Sequence, residues 1–259
     1  MNQRLFEELI KEEQQSISGW DLSYLEDSER MMKFPLQWKF SNVLKPYLDE
    51  CDRLLQMGTK DKEMLISVSS CQKQTRVTMS DEADATVADA LKSLGVEVIA
   101  VLTNDLLPFE DEAFDLIINK HESFNASEIE RLLHENGYFI TEQVGGLNDC
   151  ELNLWLNVET SESLNKNFRS TINSLRDAGL TIVEEKEDIS RTRFYDLGAI
   201  VYYLKSKSSP IRDFSVEKYF DRLQVMKGII DQQGYIDLTK HRFLMIVKKV
   251  KHDYWLNFF

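Results

Sequence analysis

The apolar segments of this chain alternate between two patterns, and this alternation limits the folds that the chain can adopt. Nearly continuous apolar runs, such as Val96 to Leu102 and Phe114 to Asn119, are typical of strands buried on both faces of a sheet. Between such runs, stretches such as Asp84 to Leu94 repeat apolar residues at helical spacing, and this one stops at Gly95. Strands separated by helices predict right-handed crossovers and a mostly parallel sheet.

The whole pattern predicts an α/β protein with a mostly parallel, seven-stranded sheet and helices on both faces. The predicted strands are Arg53 to Met57, Arg76 to Ser80, Val96 to Leu102, Phe114 to Asn119, Tyr138 to Val144, Leu180 to Glu185 and Phe243 to Val250. The predicted helices are Gln3 to Ser16, Gln37 to Leu48, Asp84 to Leu94, Ala126 to His134, Asn148 to Leu156, Asn165 to Ala178, Asp196 to Lys205 and Val216 to Gln232. We expect an N-terminal helical cap over residues 1–40. An α/β domain over residues 41–259 follows, with a helical segment at 196–235 before its last strand.

Composition narrows the possible partners. The 259 residues carry a net charge of −13, which disfavours nucleic acid, because nucleic-acid binding depends on Lys and Arg side chains. No apolar run approaches the ~20 residues that span a bilayer, and the acidic N-terminus does not resemble a signal peptide. Cys51, Cys71 and Cys150 are widely spaced, and the four histidines show no ligand spacing. We therefore expect a cytoplasmic protein without a metal site, and its oligomeric state is not readable from the sequence.

Polar residues follow several of the predicted strands. In parallel sheets, ligands bind at the carboxyl ends of the strands. The segments at those ends are Gln56-Met57-Gly58-Thr59, Ser80-Asp81, Asn104-Asp105-Leu106, Asn119-Lys120-His121-Glu122 and Gln143-Val144-Gly145-Gly146. We expect a ligand site where these segments meet.

Several segments resemble the class I S-adenosylmethionine-dependent methyltransferases. The run Asn104 to Ile118 is similar to that family's acid, Leu-Pro-Phe and Phe-Asp-Leu segment, and Glu128 to Ile140 resembles its helix, glycine turn and fifth strand. Thr141 to Gly146 and Arg191 to Ala199 are similar to a bacterial subgroup whose substrates are unknown. The resemblance covers about residues 40 to 250. It implies a Rossmann-like fold, S-adenosylmethionine as cofactor and methylation as the activity.

The same resemblance assigns the first cofactor-binding positions. In the family, the first strand ends in an acid followed by Gly-x-Gly-x-Gly, whose glycines adopt positive φ and let the backbone approach the cofactor. Here Gln56 takes the place of the acid, Gly58 with Thr59 begins the loop, and Lys60 and Lys62 replace the other glycines. Gln56 can accept a hydrogen bond but carries no charge. A non-glycine residue held at positive φ costs roughly 1 kcal/mol or more, so cofactor binding is expected to be weakened.

Four later positions complete the cofactor site that the resemblance implies. Asp81 would hold the ribose hydroxyls, Asp105 and Leu106 would meet the adenine, and Asn119 would line the cofactor at the end of the fourth strand. An alternative for Asp81 is a cap on the next helix, and for Asp105 a turn before Leu107-Pro108.

Catalytic and acceptor-facing residues are predicted at the same edge. His121 is a candidate general base near neutral pH, or else a hydrogen-bonding wall residue. Gln143 would orient the acceptor, or else cap the helix near Asn148. Methyl transfer mainly requires alignment and the exclusion of water, so a base is optional.

Four further residues are predicted to face the acceptor. Trp20 and Tyr24 belong to the N-terminal segment, and Arg193 and Tyr195 precede a late helix. The alternative for Arg193 is a surface ion pair, and for Tyr195 a packed aromatic ring.

Two functions of different classes therefore remain open. One is a methyltransferase that acts on a small-molecule acceptor. The other is a protein that keeps the fold, has lost catalysis and serves as a binding or regulatory module.

Overall fold

The computed structural model describes residues 2–16, 22–59, 74–80, 85–158, 167–206, 211 and 213–250. The chain divides into two compact units. Unit 1 consists of Met1–Leu36, Gly145–Lys166 and Asp188–His241, and unit 2 of Gln37–Val144, Asn167–Glu187 and Arg242–Phe259. The helical segment at 196–235 is thus grouped with the N-terminal helices, whereas the sequence placed it in the α/β domain.

Eight strands and nine helices are present in the described residues. The strands are β1 Met31–Lys33, β2 Arg53–Met57, β3 Gln74–Ser80, β4 Glu97–Val101, β5 Phe114–Lys120, β6 Leu133–Val144, β7 Thr181–Phe194 and β8 Ile236–Lys248. The helices are α1 Gln3–Glu13, α2 Ser23–Asp27, α3 Phe40–Glu50, α4 Ala85–Ser93, α5 Ala126–Leu132, α6 Cys150–Leu156, α7 Phe168–Asp177, α8 Leu197–Lys205 and α9 Val216–Gln233. The sheet has one strand more than predicted, because β1 has only three residues and shows no recognisable alternation.

The sheet confirms the predicted α/β class. Its strand order is β1-β7-β8-β6-β5-β2-β3-β4. The pairs β2–β3, β2–β5, β3–β4 and β5–β6 are parallel, whereas β6–β8 and β1–β7 are antiparallel. Because β2, β3, β5 and β6 run in the same direction, their carboxyl ends lie at one edge of the sheet.

Helices cover both faces of the sheet in unit 2, as predicted. On one face, residues of α3 pack with alternate residues of β2, β5, β6 and β8 in a cluster that includes Leu44, Leu54, Ile118 and Ile140. On the other face, α5 and α7 supply Ile129, Leu132, Ile172 and Leu175, which pack with Leu55, Ile117, Phe139 and Met245. Successive side chains of a strand point to opposite faces of the sheet, so a single strand contributes residues to both clusters.

Two sequence expectations were wrong in unit 2. The segment Val96 to Leu102 is not a strand buried on both faces, because β4 ends the sheet order, no residue of β4 is fully buried, and Leu102 is 89% exposed. The predicted helix Ala126 to His134 stops at Leu132, where β6 begins. Gly137 lies inside β6, where a Cβ would come within 2.9 Å of the His134 carbonyl oxygen, so the strand needs a glycine at this position.

Unit 1 has a separate apolar core. The helices α1, α6, α8 and α9 and the ends of the strands contribute to it, through residues such as Leu9, Leu152, Ile200, Leu223 and Leu238. Most of α8 is buried, as expected for a helix that is apolar on all sides. Among the described residues, no helix combines the length and the hydropathy that a membrane span requires.

The Leu107-Pro108-Phe109 segment before β5 is held by α5. Leu107 N donates to buried Glu128 Oε1 at 2.7 Å, and Arg131 donates to the carbonyl oxygens of Leu107 and Phe109 at 3.2 and 2.8 Å. Arg131 Nη2 also lies 2.7 Å from Glu128 Oε1. Burial alone would raise the pKa of Glu128, but the hydrogen bonds from Arg131 and Leu107 outweigh it and lower that pKa. The pair therefore fixes the path of the chain between β4 and β5.

We predict that Arg131→Met destabilises the protein by about 3 kcal/mol, because it leaves a buried carboxylate without its cation. Folding lowers the pKa of Glu128, so its contribution is present above the ordinary value of 4.5 and is lost as the pH falls below it. The difference in unfolding free energy between the wild type and Arg131→Met should therefore become smaller as the pH falls. Urea unfolding followed by circular dichroism at several pH values measures both effects. Exposed Arg169→Met is the control, and equal losses in the two variants would contradict the assignment.

Candidate functional site

The carboxyl end of β2 presents a buried amide beside a glycine. Gln56 Nε2 donates to the Gly58 carbonyl oxygen at 3.1 Å. Gln56 Oε1 is buried and has no hydrogen-bond partner among the described residues. Gly58 has a φ of +86° and donates its N–H to the Thr78 carbonyl oxygen at 3.1 Å, so the turn requires the conformation that glycine adopts without strain.

The side chain of Glu122 lies against Gly58. A Cβ added to Gly58 would come within 2.6 Å of both Cγ and Oε1 of Glu122. Glu122 stands in one of the predicted strand-end segments, but sequence reasoning gave it no role. Only the parallel pairing of β2 with β5 reveals the contact, since 64 positions of the sequence separate the two residues.

A network of amide and hydroxyl groups joins the ends of β5 and β6. Buried Asn119 accepts hydrogen bonds at Oδ1 from Gln143 Nε2 at 2.6 Å and from Thr141 Oγ1 at 3.2 Å. Gln143 Nε2 also lies 3.0 Å from the Glu122 carbonyl oxygen. Gln143 therefore ties the chain that follows β5 to β6, and its amide is engaged there and not at the helix near Asn148.

The opposite face of β6 carries a histidine–glutamate pair. His121 adopts a φ of +59°, and its N–H donates to the Glu142 carbonyl oxygen at 2.9 Å. His121 Nε2 lies 3.4 Å from Glu142 Oε1, and Trp38 Nε1 donates to Glu142 Oε2 at 2.7 Å. A non-glycine residue at positive φ is uncommon and concentrates at functional sites. Glu142 could not be singled out from the sequence, because it lies between Thr141 and Gln143 in β6 and only its contacts with His121 and Trp38 distinguish it.

The surroundings shift the pKa of both groups. A third of the His121 side chain is exposed, yet the loss of water around the ring lowers its pKa against the opposing effect of Glu142. For buried Glu142, burial alone would raise the pKa, but the His121 hydrogen bond, the Lys120 charge and the Trp38 hydrogen bond outweigh it and lower the pKa. His121 is therefore neutral and Glu142 ionised near pH 7. If Nε2 donates to Glu142, Nδ1 keeps a lone pair that can accept a proton.

The remaining predicted cofactor residues lie at different places. Asp105 is exposed, and its carboxylate accepts a hydrogen bond from Thr103 Oγ1 at 2.8 Å, so both its cofactor role and the alternative turn role stay predictions. Leu106 is 73% exposed. Lys60, Lys62 and Asp81 lie outside the described residues, and their roles stay predictions.

The predicted acceptor-facing residues that are described belong to unit 1. The Arg193 guanidinium pairs with Asp237 at 2.8 and 2.9 Å. Tyr195 Oη lies 3.9 Å from Met32 Sδ, and Tyr24 Oη accepts a hydrogen bond from Arg30 at 3.1 Å. The predicted contact of Tyr24, Arg193 and Tyr195 with an acceptor stays a prediction, and Trp20 lies outside the described residues.

Solved structures share this arrangement of strands and helices. A candidate methyltransferase from Bacillus halodurans superposes with a TM-score of 0.57 at 16% identity, over 82% of this chain and 99% of that one. The chain has the class I methyltransferase fold. The YcgJ protein from Bacillus subtilis superposes with a TM-score of 0.54, also at 16% identity and over 82% and 99% of the two chains. No protein-family model matches the sequence, and no curated protein matches it.

The described residues at the end of β2 fit the methionine part of S-adenosylmethionine. The unpartnered Gln56 Oε1 can accept a hydrogen bond from its ammonium group, and the positive φ of Gly58 allows close approach to the backbone. Among the described residues, no group of three or more His, Cys, Asp or Glu side chains could hold a metal ion.

We predict that Gly58→Ala destabilises the protein by more than the about 1–2 kcal/mol that a left-handed backbone alone costs an L-residue. The excess arises because the new methyl group meets Glu122. Gly95→Ala is a matched control, since Gly95 has a φ of +81° but no atom within 4 Å of its added Cβ. The two variants are compared by urea unfolding. Equal losses would contradict a Glu122 side chain that is held in place against Gly58.

We also predict that His121 titrates below the ordinary value of 6.5. Because folding lowers this pKa, the unfolded chain binds more protons, and stability falls as the pH drops below 6.5. Glu142→Gln should lower the pKa of His121 further, because Glu142 favours the charged imidazolium. Proton NMR titration of the imidazole signals, assigned with His121→Gln, measures both shifts. A rise of the pKa in Glu142→Gln would show that the pair is not coupled as described.

Proposed function

We propose that this chain binds S-adenosylmethionine at the carboxyl ends of β2 and β5 and transfers its methyl group to a small-molecule acceptor. The observation that carries the proposal is the buried, unpartnered Oε1 of Gln56 beside Gly58, in a chain with this fold. A buried amide oxygen without a partner costs roughly 1–3 kcal/mol, and an N–H donor on a ligand removes that cost. The methionine ammonium is a donor of this kind.

The bound cofactor would supply an electrophilic methyl group on a sulfonium. The chain's own residues hold and orient the reactants. Asn119 and Gln143 rigidify the wall beside the site through their short hydrogen bond. His121, oriented by Glu142, is the proposed base that accepts a proton at Nδ1 from an acceptor group.

The charge of the chain guides the choice of acceptor. A net charge of −13 opposes binding to a polyanion, so we favour a small molecule over nucleic acid. The described cysteines Cys51 and Cys150 are not in disulfides, which agrees with the cytoplasmic location that we propose.

One observation favours a second function. Gln56 replaces an acid, and the Glu122 side chain lies where the backbone of Gly58 would be approached by a cofactor. A protein that keeps the fold without catalysis, and acts as a binding or regulatory module, is the alternative.

Calorimetric titration with S-adenosylmethionine separates the two functions. The methyltransferase proposal predicts saturable binding with one site per chain. Gln56→Met should weaken that binding roughly tenfold, because it removes the accepting oxygen at similar volume. Exposed Gln74→Met is the control and should bind as the wild type does. No heat and no thermal shift at millimolar cofactor would exclude the enzyme and leave the alternative.

A further inference from the structure

The end of β2 lacks the negative charge that a cationic ligand would need. Gln56 is neutral, and its amide N–H is already donated to the Gly58 carbonyl oxygen. The described carboxylate that touches Gly58 comes from a different strand, because Glu122 follows β5. Its Oε1 would lie 2.6 Å from a Cβ on Gly58, so the carboxylate faces the backbone at the turn where Gln56 points.

The backbone at Glu122 is held from three directions. The residue before it is fixed by the hydrogen bond from His121 N to the Glu142 carbonyl oxygen at 2.9 Å. The Glu122 carbonyl oxygen accepts from Gln143 Nε2 at 3.0 Å, and the Ser123 carbonyl oxygen accepts from Asn104 Nδ2 at 3.0 Å. These contacts anchor the backbone on both sides of Glu122, in the place from which its side chain reaches Gly58.

The net positive charge of the cofactor gives the Glu122 carboxylate a role. The methionine part of S-adenosylmethionine carries an ammonium, a sulfonium and one carboxylate, so it is a net cation at neutral pH. A cation that leaves water for a crowded site is stabilised by a nearby anion, and a charge-assisted hydrogen bond is stronger than a neutral one. The oxygen of Gln56 can accept a hydrogen bond but cannot balance the charge.

We infer that Glu122 supplies the carboxylate that Gln56 lacks, and that the two side chains together hold the ammonium group of the cofactor. Glu122 is therefore a cofactor-binding residue contributed by β5 in place of an acid at the end of β2. The inference rests on the proposed function and deepens it.

The test is a charge swap measured by calorimetry on the full chain. Glu122→Gln should weaken the binding of S-adenosylmethionine at least roughly tenfold, the size of a lost charge-assisted hydrogen bond. Gln56→Glu combined with Glu122→Gln returns the carboxylate to β2 and should restore the affinity to within about threefold of wild type. Exposed Glu110→Gln is the control for the loss of one negative charge from the protein.

A second ligand separates charge from shape. 5′-Methylthioadenosine lacks the amino-acid part, so its affinity should be the same for wild type and Glu122→Gln. Thermal unfolding of each variant confirms that it is folded. An equal loss for both ligands would overturn the inference, because it would show a general disturbance of the site.

The outcomes also distinguish this inference from the proposed function. If the wild type fails to bind S-adenosylmethionine, the proposed function fails and this inference with it. If the wild type binds and Glu122→Gln binds equally well, only the inference fails. Tighter binding by Glu122→Gln would overturn it too, and would show that the Glu122 side chain blocks the site.

Discussion

The parallel register of the central strands places every polar group of the candidate site. Met57 pairs with Asn119, and Asn119 pairs with Thr141, so β2, β5 and β6 end together at one edge of the sheet. Parallel strands require crossover connections, and the ends that carry the loops become the natural place for a ligand. If this register slipped by one residue, Asn119 and Gln143 would turn to the opposite face and both polar clusters would be lost.

The two faces at this edge carry different chemistry. On one face, the hydrogen bond between Asn119 and Gln143 satisfies the buried amide of Asn119 and makes a rigid wall. On the other face, Glu142 holds His121 and is itself held by Trp38. Gln56 lies in register with Ile118 and Ile140, on the face that also carries Glu142, and it keeps an oxygen without a partner. A protein interior satisfies nearly all of its buried polar groups, so this exception is the strongest local sign of a ligand.

The sequence predicted local structure well and long-range contacts poorly. The strand Arg53 to Met57 was predicted with its observed limits, because its apolar run ends at Gly58. The limits of β6 were not predicted correctly. Gly137 lies inside this strand at a close approach to the backbone, whereas in the sequence it resembles the glycine that ends a helix. The burial of β4 was wrong because an apolar run does not show whether its strand has neighbours on both sides.

The residues of the candidate site divide in the same way between local patterns, which the sequence shows, and long-range contacts, which it does not show. The strand-end segments were visible, so Gln56, Gly58, Asn119, His121 and Gln143 could be named from the sequence. Glu122 and Glu142 could not be given roles, because the contacts with Gly58 and Trp38 join positions far apart in the chain. Such contacts depend on the strand register, which no local pattern specifies.

A crystal structure of the protein with S-adenosylhomocysteine tests the central claim most directly, because the claim concerns where one amino group lies. We predict that its amino nitrogen lies within hydrogen-bonding distance of Gln56 Oε1, with the methionine part against Gly58. A ligand bound elsewhere on the chain, or a Gln56 oxygen that still faces no donor in the complex, would contradict the account.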